Sequence, residues 1–172
     1  YTSIAVTTDD SNDEIVYASS MGDGVIQYKN GTPVQSYNEK NAFKETAGGY
    51  GSGYCYIDGL AFDKNGNLWM TSSEVNHAVL VLDKAGAWHR LDIEQLGGVY
   101  TINDILITST NDKWIYVPRN TPKLVMIPNS ESLDEVSSYE FTTLIDTDGK
   151  ELTPSNYTCV AEDKDGYIWV GT

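Results

Sequence analysis

Short apolar runs alternate with polar, glycine-containing turns along most of the chain. The segment 59–73, GLAFDKNGNLWMTSS, has two apolar runs that flank Asn65-Gly66. An Asn-Gly pair in this setting predicts a β-hairpin with a type I′ turn, because both central residues of that turn need a positive φ. The segment 159–172, CVAEDKDGYIWVGT, repeats the arrangement with Asp165-Gly166 at the turn. Two copies of one hairpin indicate a fold built from repeated units.

Comparable runs elsewhere predict three units of four strands and a fourth unit of two strands. The units are predicted at 4–37, 57–93, 102–145 and 157–172. Their strands are apolar on both faces, as in VLVL at 79–82. An antiparallel sheet with one solvated face would alternate apolar and polar residues, so each sheet is expected to be covered on both sides.

An aromatic residue in the second strand of each unit sets the repeat length. Tyr17, Trp69, Trp114 and Trp169 are separated by 52, 45 and 55 residues. Four-stranded propeller blades occupy about 40–50 residues each. The sequence therefore predicts an all-β fold: a partial β-propeller of four-stranded antiparallel blades, about three and a half of them, in a single domain over 1–172. The three tryptophans are expected to be buried within or between blades.

Charge and hydropathy argue against several classes of partner. The chain has 25 acidic and 11 basic residues, a formal net charge of −14. Nucleic acid and anionic membrane surfaces both favour a basic face, so neither is expected to bind. No run of about 18 apolar residues is present, so this segment is not expected to enter a membrane. The sequence begins at Tyr1 with a strand-like run rather than a signal peptide, which suggests a mature or excised piece.

No residue pattern predicts a metal site, a cofactor or a catalytic centre. The turns DKNGN and DKDGY lack the spacing of an EF-hand, because their glycines come fourth rather than sixth. They also fail as sialidase Asp-boxes, because Asp63 and Asp163 lie three residues before the glycine instead of two. His77 and His89 have no local nucleophile or paired carboxylate and are expected to be surface or strand-end imidazoles.

The two cysteines, Cys55 and Cys159, are too far apart in sequence for a metal-binding pair. Both are expected to be small, buried or half-buried thiols, with a disulfide between them as the alternative. Two cysteines do not fix the redox compartment.

The best candidate for ligand contact is the connection GGYGSGYCY at 48–56. It places Tyr50, Tyr54 and Tyr56 on glycine-rich backbone just before an inner strand. Tyrosine combines an apolar ring, on which a sugar can stack, with a phenol that forms hydrogen bonds. The alternative is that these tyrosines only cap the junction between two blades.

The hairpin segments resemble the two-component-regulator propeller repeat, in which a strand, an Asp-x-x-Gly turn and an aromatic-hydrophobic-Gly-Thr end recur. The segments 85–93, 102–120 and 162–172 resemble, in the same order, the propeller of PorZ-like proteins of the type IX secretion machinery. The resemblance covers roughly residues 57–172, while residues 1–56 share only the general pattern of repeated strands and turns. It implies a fragment of a larger Bacteroidetes propeller, located in the periplasm or at the cell surface in association with the outer membrane.

These observations favour a non-catalytic binding module of the cell envelope, PorZ-like or sensor-type, that recognises a glycan or an envelope protein. One alternative is the periplasmic ligand-sensing domain of a hybrid two-component histidine kinase. Others are a purely structural scaffold and a propeller enzyme such as a polysaccharide lyase or glycosidase. Two carboxylates about 5–10 Å apart in a pocket would favour the enzyme.

Three and a half blades cannot close into a ring, so the faces of the first and last units are expected to lie open. These faces carry apolar residues, among them Ile4, Val6, Ile168 and Val170. Exposed apolar patches mark interfaces or aggregation hazards. We therefore expect either a longer ordered chain or self-association through the open blade faces.

Overall fold

The computed structural model describes residues 2–43, 53–134 and 136–172. Within these ranges the chain forms sixteen β-strands and no helix, which confirms the predicted all-β class. The described residues accordingly include no helix long and apolar enough to cross a bilayer.

Three four-stranded antiparallel blades follow one another, and the first strands of successive blades lie against each other. Blade 1 contains β1 (Ile4–Thr8), β2 (Glu14–Gly22), β3 (Gly24–Lys29) and β4 (Thr32–Tyr37); blade 2 contains β5 (Cys55–Phe62), β6 (Leu68–Ser72), β7 (Val79–Leu82) and β8 (Trp88–Leu91); blade 3 contains β9 (Ile105–Ile107), β10 (Lys113–Val117), β11 (Lys123–Ile127) and β12 (Tyr139–Phe141). A separate hairpin, β13 (Leu144–Ile145) and β14 (Glu151–Leu152), precedes the two strands of blade 4, β15 (Cys159–Glu162) and β16 (Ile168–Gly171).

Blade 3 has a shorter outer strand than the sequence predicted. The third unit was predicted to end with its fourth strand at 145, but only β12 pairs with β11, and it ends at Phe141. Leu144 and Ile145 instead pair with Leu152 and Glu151 in the separate hairpin. In the turn between these two strands, Oδ1 of Asp146 accepts the backbone amides of Asp148 and Lys150. These local hydrogen bonds stabilise a hairpin that is separate from blade 3.

The hairpin tips lie at the predicted positions but are not type I′ turns. Gly66 and Gly166 have φ values of 84° and 85°, whereas Asn65 is not among the residues with positive φ. Each turn therefore has one residue in the αL conformation, the glycine. In the first turn, the amide of Gly66 donates to the carbonyl of Asp63 at 3.1 Å. This is the geometry of a type I turn followed by an αL residue with a bulge, a common three-residue hairpin loop.

The aromatic marker of the repeat is absent from blade 1. In the β5–β6 pair, Trp69 lies opposite Ala61. Ala61 comes two residues before the turn aspartate Asp63. The residue in the same register of the β1–β2 pair is Ile15, opposite Thr7. The prediction that Tyr17 takes the tryptophan position is therefore wrong, because the turn register and not the spacing of aromatics defines equivalence.

The tryptophans occupy equivalent positions on the second strands, but their burial decreases along the chain. Trp69 is 2% exposed in the core between blades 2 and 3, where the Lys113 ammonium lies 4.5 Å from its ring centroid. Trp114 is half-buried and stacks on Phe141 with ring centroids 5.6 Å apart. Trp169 is 65% exposed, so the prediction of burial is wrong there. Blade 3 covers Trp69, whereas no residue that the structure describes covers the Trp169 ring in this way.

The two cysteines also differ from one another. Both are free thiols, and Cys55 is buried as predicted. Cys159 is exposed, which contradicts the prediction of a buried or half-buried thiol. It lies on β15, in the incomplete blade, where the protein covers little of the sheet.

Candidate functional site

The connection between blades 1 and 2 carries two of the three predicted site tyrosines in described positions. Tyr54 and Tyr56 have ring centroids 6.3 Å apart with an interplanar angle of 76°, an edge-to-face contact. Tyr50 lies outside the described residues. The end of β2 pairs with the start of β5, with Met21 opposite Tyr56. A Cβ atom at Gly22 would approach the Tyr54 ring to 3.0 Å, so glycine allows the ring to lie against the backbone.

Tyr56 is half-buried among acidic and phenolic groups. Burial raises the pKa of its phenol, and the nearby groups of Asp58, Tyr54, Glu74 and Tyr100 raise it further. Tyr56 therefore stays neutral in ordinary conditions and can donate a hydrogen bond. Tyr100 is 60% exposed at this end of the blades.

Asp58 is the most strongly perturbed carboxyl among the described residues. Burial raises its pKa to about 7, and the proximity of Asp104 adds to the shift. The buried Ser73 hydroxyl donates to Oδ2 of Asp58 at 2.7 Å and partly offsets the cost of burying the charge. Near neutral pH this carboxyl exists in both protonation states.

Asp104 comes immediately before β9, next to Asp58 on the neighbouring blade. A Cβ atom at Gly59 would lie 2.8 Å from both Oδ1 of Asp104 and the amide of Ile105, so glycine permits the close approach of the two inner strands. Desolvation raises the pKa of Asp104, and the Ile105 amide, which donates to Oδ1 at 2.9 Å, opposes this. The side chain is exposed, so solvent screening makes the shift smaller in effect than at Asp58.

Hydroxyl groups join the inner strands of successive blades near this end. Ser3 accepts the Leu60 amide at 3.1 Å, between blades 1 and 2. Thr71 accepts the Gly59 amide within blade 2 and donates to the Asn103 carbonyl of blade 3, both at 2.9 Å. These bonds fix the positions of Asp58 and Asp104, because each acid lies next to a bonded residue.

The turn aspartates have a role that the sequence reading missed. Oδ1 of Asp63 accepts the amides of Asn65 and Asn67, while Oδ2 accepts the indole Nε1 of Trp69 at 2.9 Å. Asp163 makes the same set of bonds, including one to Trp169 at 2.8 Å. The spacing of six residues from aspartate to tryptophan is present in the sequence of both turns and is the signal that predicts this bond.

His89 departs from the sequence interpretation, because it is half-buried within a strand and has a carboxylate partner. His89 lies on β8, and its Nε2 is 3.0 Å from Oδ2 of Asp83, six residues earlier in the turn. His77 lies in the loop before β7 and lines a narrow space together with Phe43 and Arg90. In the described part of the chain, no group of three or more His, Cys, Asp or Glu side chains could hold a metal ion.

Comparison with known proteins supports the architecture. Residues 151–172 match the family model described as "Two component regulator propeller". No curated protein matches the chain. The structure of PorZ, a surface component of the type IX secretion system of Porphyromonas gingivalis, aligns with a TM-score of 0.81 and 21% identity over 98% of this chain. The extracellular domain of a hybrid two component system of B. thetaiotaomicron aligns with a TM-score of 0.59 and 17% identity over 97% of this chain.

The chain spans only 23% of the PorZ chain and 20% of the B. thetaiotaomicron chain. A second hybrid-system extracellular domain from B. thetaiotaomicron, with a TM-score of 0.58 and 16% identity, is covered to 21%. The resemblance inferred from the sequence is thus confirmed, and so is the predicted fold, part of a β-propeller.

Proposed function

We propose that the chain is part of a non-catalytic binding module of the cell envelope that recognises a glycan or an envelope protein. The observation that carries the proposal is the tyrosine pair Tyr54 and Tyr56, placed beside Asp58 where blade 1 joins blade 2. Phenol rings with apolar faces and hydrogen-bonding tips suit sugar rings and polar protein surfaces alike. Tyr50 is part of the same proposed contact.

The rigidity of this end supports a recognition role. The β2–β5 pairing and the Gly22 contact hold Tyr54 and Tyr56 in defined positions, so little side-chain entropy is lost when a ligand binds. The neighbouring acids favour ligands that are neutral or cationic at the contact and rich in hydroxyl or amine donors. An anionic glycan would meet repulsion from Asp104 and Glu74.

Two biological contexts are proposed, in the periplasm or at the cell surface. A PorZ-like context would place the propeller at the surface with a secretion system, as the name of that neighbour describes. A sensor context would place it in the extracellular domain of a hybrid two component system, as for the B. thetaiotaomicron neighbours. The full reading frame separates them, because a histidine kinase region would favour the sensor.

The experiment measures binding of the chain to an array of bacterial surface glycans and polysaccharides, with an envelope extract in a parallel arm. Tyr54→Ala and Tyr56→Ala are compared with Tyr167→Ala, which removes a 68% exposed tyrosine from the last hairpin. Loss of binding of at least about tenfold in the first two variants alone supports the site, as for interface hot spots above about 1.4 kcal/mol. Equal behaviour of all three variants would contradict it.

A propeller lyase or glycosidase remains the second candidate because Asp58 and Asp104 lie close together with raised pKa values. Acid–base catalysis requires carboxyls of differing pKa near a bound sugar. Incubation of array-positive polysaccharides with the protein tests for new reducing ends or unsaturated products. Turnover that Asp58→Asn abolishes would replace the binding proposal, whereas binding without products would support it.

A further inference from the structure

Blade 1 lacks the ring that fills the equivalent space in blade 2. In the β5–β6 turn, Trp69 lies six residues after Asp63 and donates its indole N–H to that carboxylate. In the β1–β2 turn, Asp9 makes the same bonds to the backbone, accepting the amides of Ser11 and Asp13. The residue six positions later is Ile15, whose side chain has neither an N–H donor nor a ring.

The walls around these two positions correspond residue by residue. Trp69 lies opposite Ala61 and Val81, and Ile15 lies opposite Thr7 and Lys29. The blades that face the two positions also correspond. Lys113 of β10 lies over the Trp69 ring, and its strand partners are Ile107 and Ile127. In β6 the matching residue is Leu68, paired with Phe62 and Leu82.

A cleft of about 480 Å³ occupies this position between blades 1 and 2. Tyr17 lines it, and so do seven of the corresponding residues: Thr7, Asp9, Ile15, Lys29, Phe62, Leu68 and Leu82. Its volume lies in the range of small-molecule sites, about 300–1,000 Å³. The smaller side chain of Ile15 therefore leaves open, at the surface, the space that an indole closes in the next blade.

The chemistry of the cleft matches a flat ring with one N–H donor. Tyr17, Leu68 and Leu82 are buried and form an apolar wall. Phe62 meets Tyr17 edge-on at 5.8 Å and adds an aromatic wall. On the rim, Oδ2 of Asp9 accepts the Lys29 ammonium at 2.7 Å.

A carboxylate oxygen can accept a second donor beside the first. Oδ2 of Asp63 does so, because it accepts both Asn67 Nδ2 and Trp69 Nε1 at 2.9 Å. Asp9 thus offers an N–H donor the same acceptor that Asp63 offers to Trp69.

We propose that the cleft between blades 1 and 2 is a binding site for a small indole-type heteroaromatic whose ring takes the place of the missing tryptophan and whose N–H donates to Asp9. The site is separate from the tyrosine surface and does not depend on glycan or protein recognition there. Asp10 and Asp83 also line the cleft, with Lys29 and Lys84 as the cations. A neutral or amine-bearing ligand is therefore preferred over an indole carboxylate.

The test is a ¹H–¹⁵N NMR titration of the chain with indole and with benzothiophene, which keeps the ring shape but has no N–H. Indole is expected to shift the amides of Thr7, Ile15, Phe62 and Leu68. Benzothiophene should shift the same amides but bind about fivefold to tenfold more weakly, because one hydrogen bond is lost. Shifts confined to other residues, or none at millimolar indole, would overturn the proposal.

A variant comparison adds a second readout. Ile15→Trp restores the ring of the repeat, so it should raise the melting temperature and weaken indole binding by at least about tenfold, because the side chain occupies the cleft. Ile15→Leu leaves the cleft open and should keep indole binding near that of the original chain. A folded Ile15→Trp protein that binds indole unchanged would overturn the proposal. If that variant does not fold, the comparison of indole with benzothiophene decides.

Discussion

The indole of Trp69 donates to Oδ2 of Asp63 at 2.9 Å across six residues of chain, which ties the second strand of blade 2 to the turn that precedes it. The same pair recurs as Trp169 and Asp163. Their local geometry is equal, but Trp69 is 2% exposed and Trp169 is 65% exposed. The two tryptophans therefore separate the effect of the turn from the effect of the neighbouring blade.

Replacing Trp69 by alanine is expected to lower the free energy of unfolding by about 3–5 kcal/mol, as for a fully buried aromatic side chain. Trp169→Ala is the matched control, because it breaks the same hydrogen bond at an exposed site, and should cost less than about 1 kcal/mol. Urea unfolding monitored by circular dichroism measures both. Similar losses in the two variants would mean that the turn and not the blade interface determines stability.

Asp58 should make stability dependent on pH. Its pKa is about 7 in the folded chain, whereas an unfolded aspartate titrates near about 3.9. Between these values the folded state holds a proton that the unfolded state has lost. This contribution to stability is therefore fully present below about pH 4 and is lost as pH rises through about 7.

Asp58→Asn cannot ionise, so its melting temperature should rise relative to that of the original chain as pH increases from about 5 to 8. Thermal melts in one buffer series of constant ionic strength measure this. Melting curves that shift in parallel for both proteins over this range would contradict the assigned burial of the Asp58 charge.

The cysteines should react at very different rates with a thiol reagent. Cys55 is 2% exposed, and burial raises the pKa of its thiol to about 11. Cys159 is exposed and should be modified rapidly while the protein stays folded, because an accessible thiolate is the reactive form. Mass spectrometry after brief labelling should find one modification, on Cys159. Rapid double labelling without denaturant would show that blade 1 opens away from blade 2.

The open blade faces should promote association. Ile4 and Val6 are 61% and 58% exposed on β1, as expected. In the last hairpin the expected Ile168 and Val170 are half-buried, and the exposed residues are instead Tyr167 and Trp169, at 68% and 65%. Light scattering of residues 1–172 is expected to show concentration-dependent association, strengthened by salt that screens the net charge of −14. A double variant, Val6→Thr with Trp169→Thr, should associate less. A monomer at high concentration and moderate salt would contradict this expectation.

The sequence by itself determined the local units of the fold. The turns between β1 and β2, β5 and β6, and β15 and β16 follow from residues a few positions apart, since an aspartate caps the turn and Gly66, Gly166 or Asn12 supplies the positive φ. Apolar runs such as β7 are buried on both faces, as their composition predicted. These features depend on short-range hydrogen bonds and side-chain size, which a sequence contains directly.

Only the tertiary structure decided what each unit meets. Trp69 and Trp169 share one local pattern but differ in burial, because burial depends on the blade that follows. Asp58 and Asp104 are 46 positions apart and interact because two inner strands lie side by side at Gly59. The cleft at Ile15 likewise becomes visible only when strand register identifies it as the tryptophan position. Packing between blades is a long-range property, and no local pattern of residues determines it.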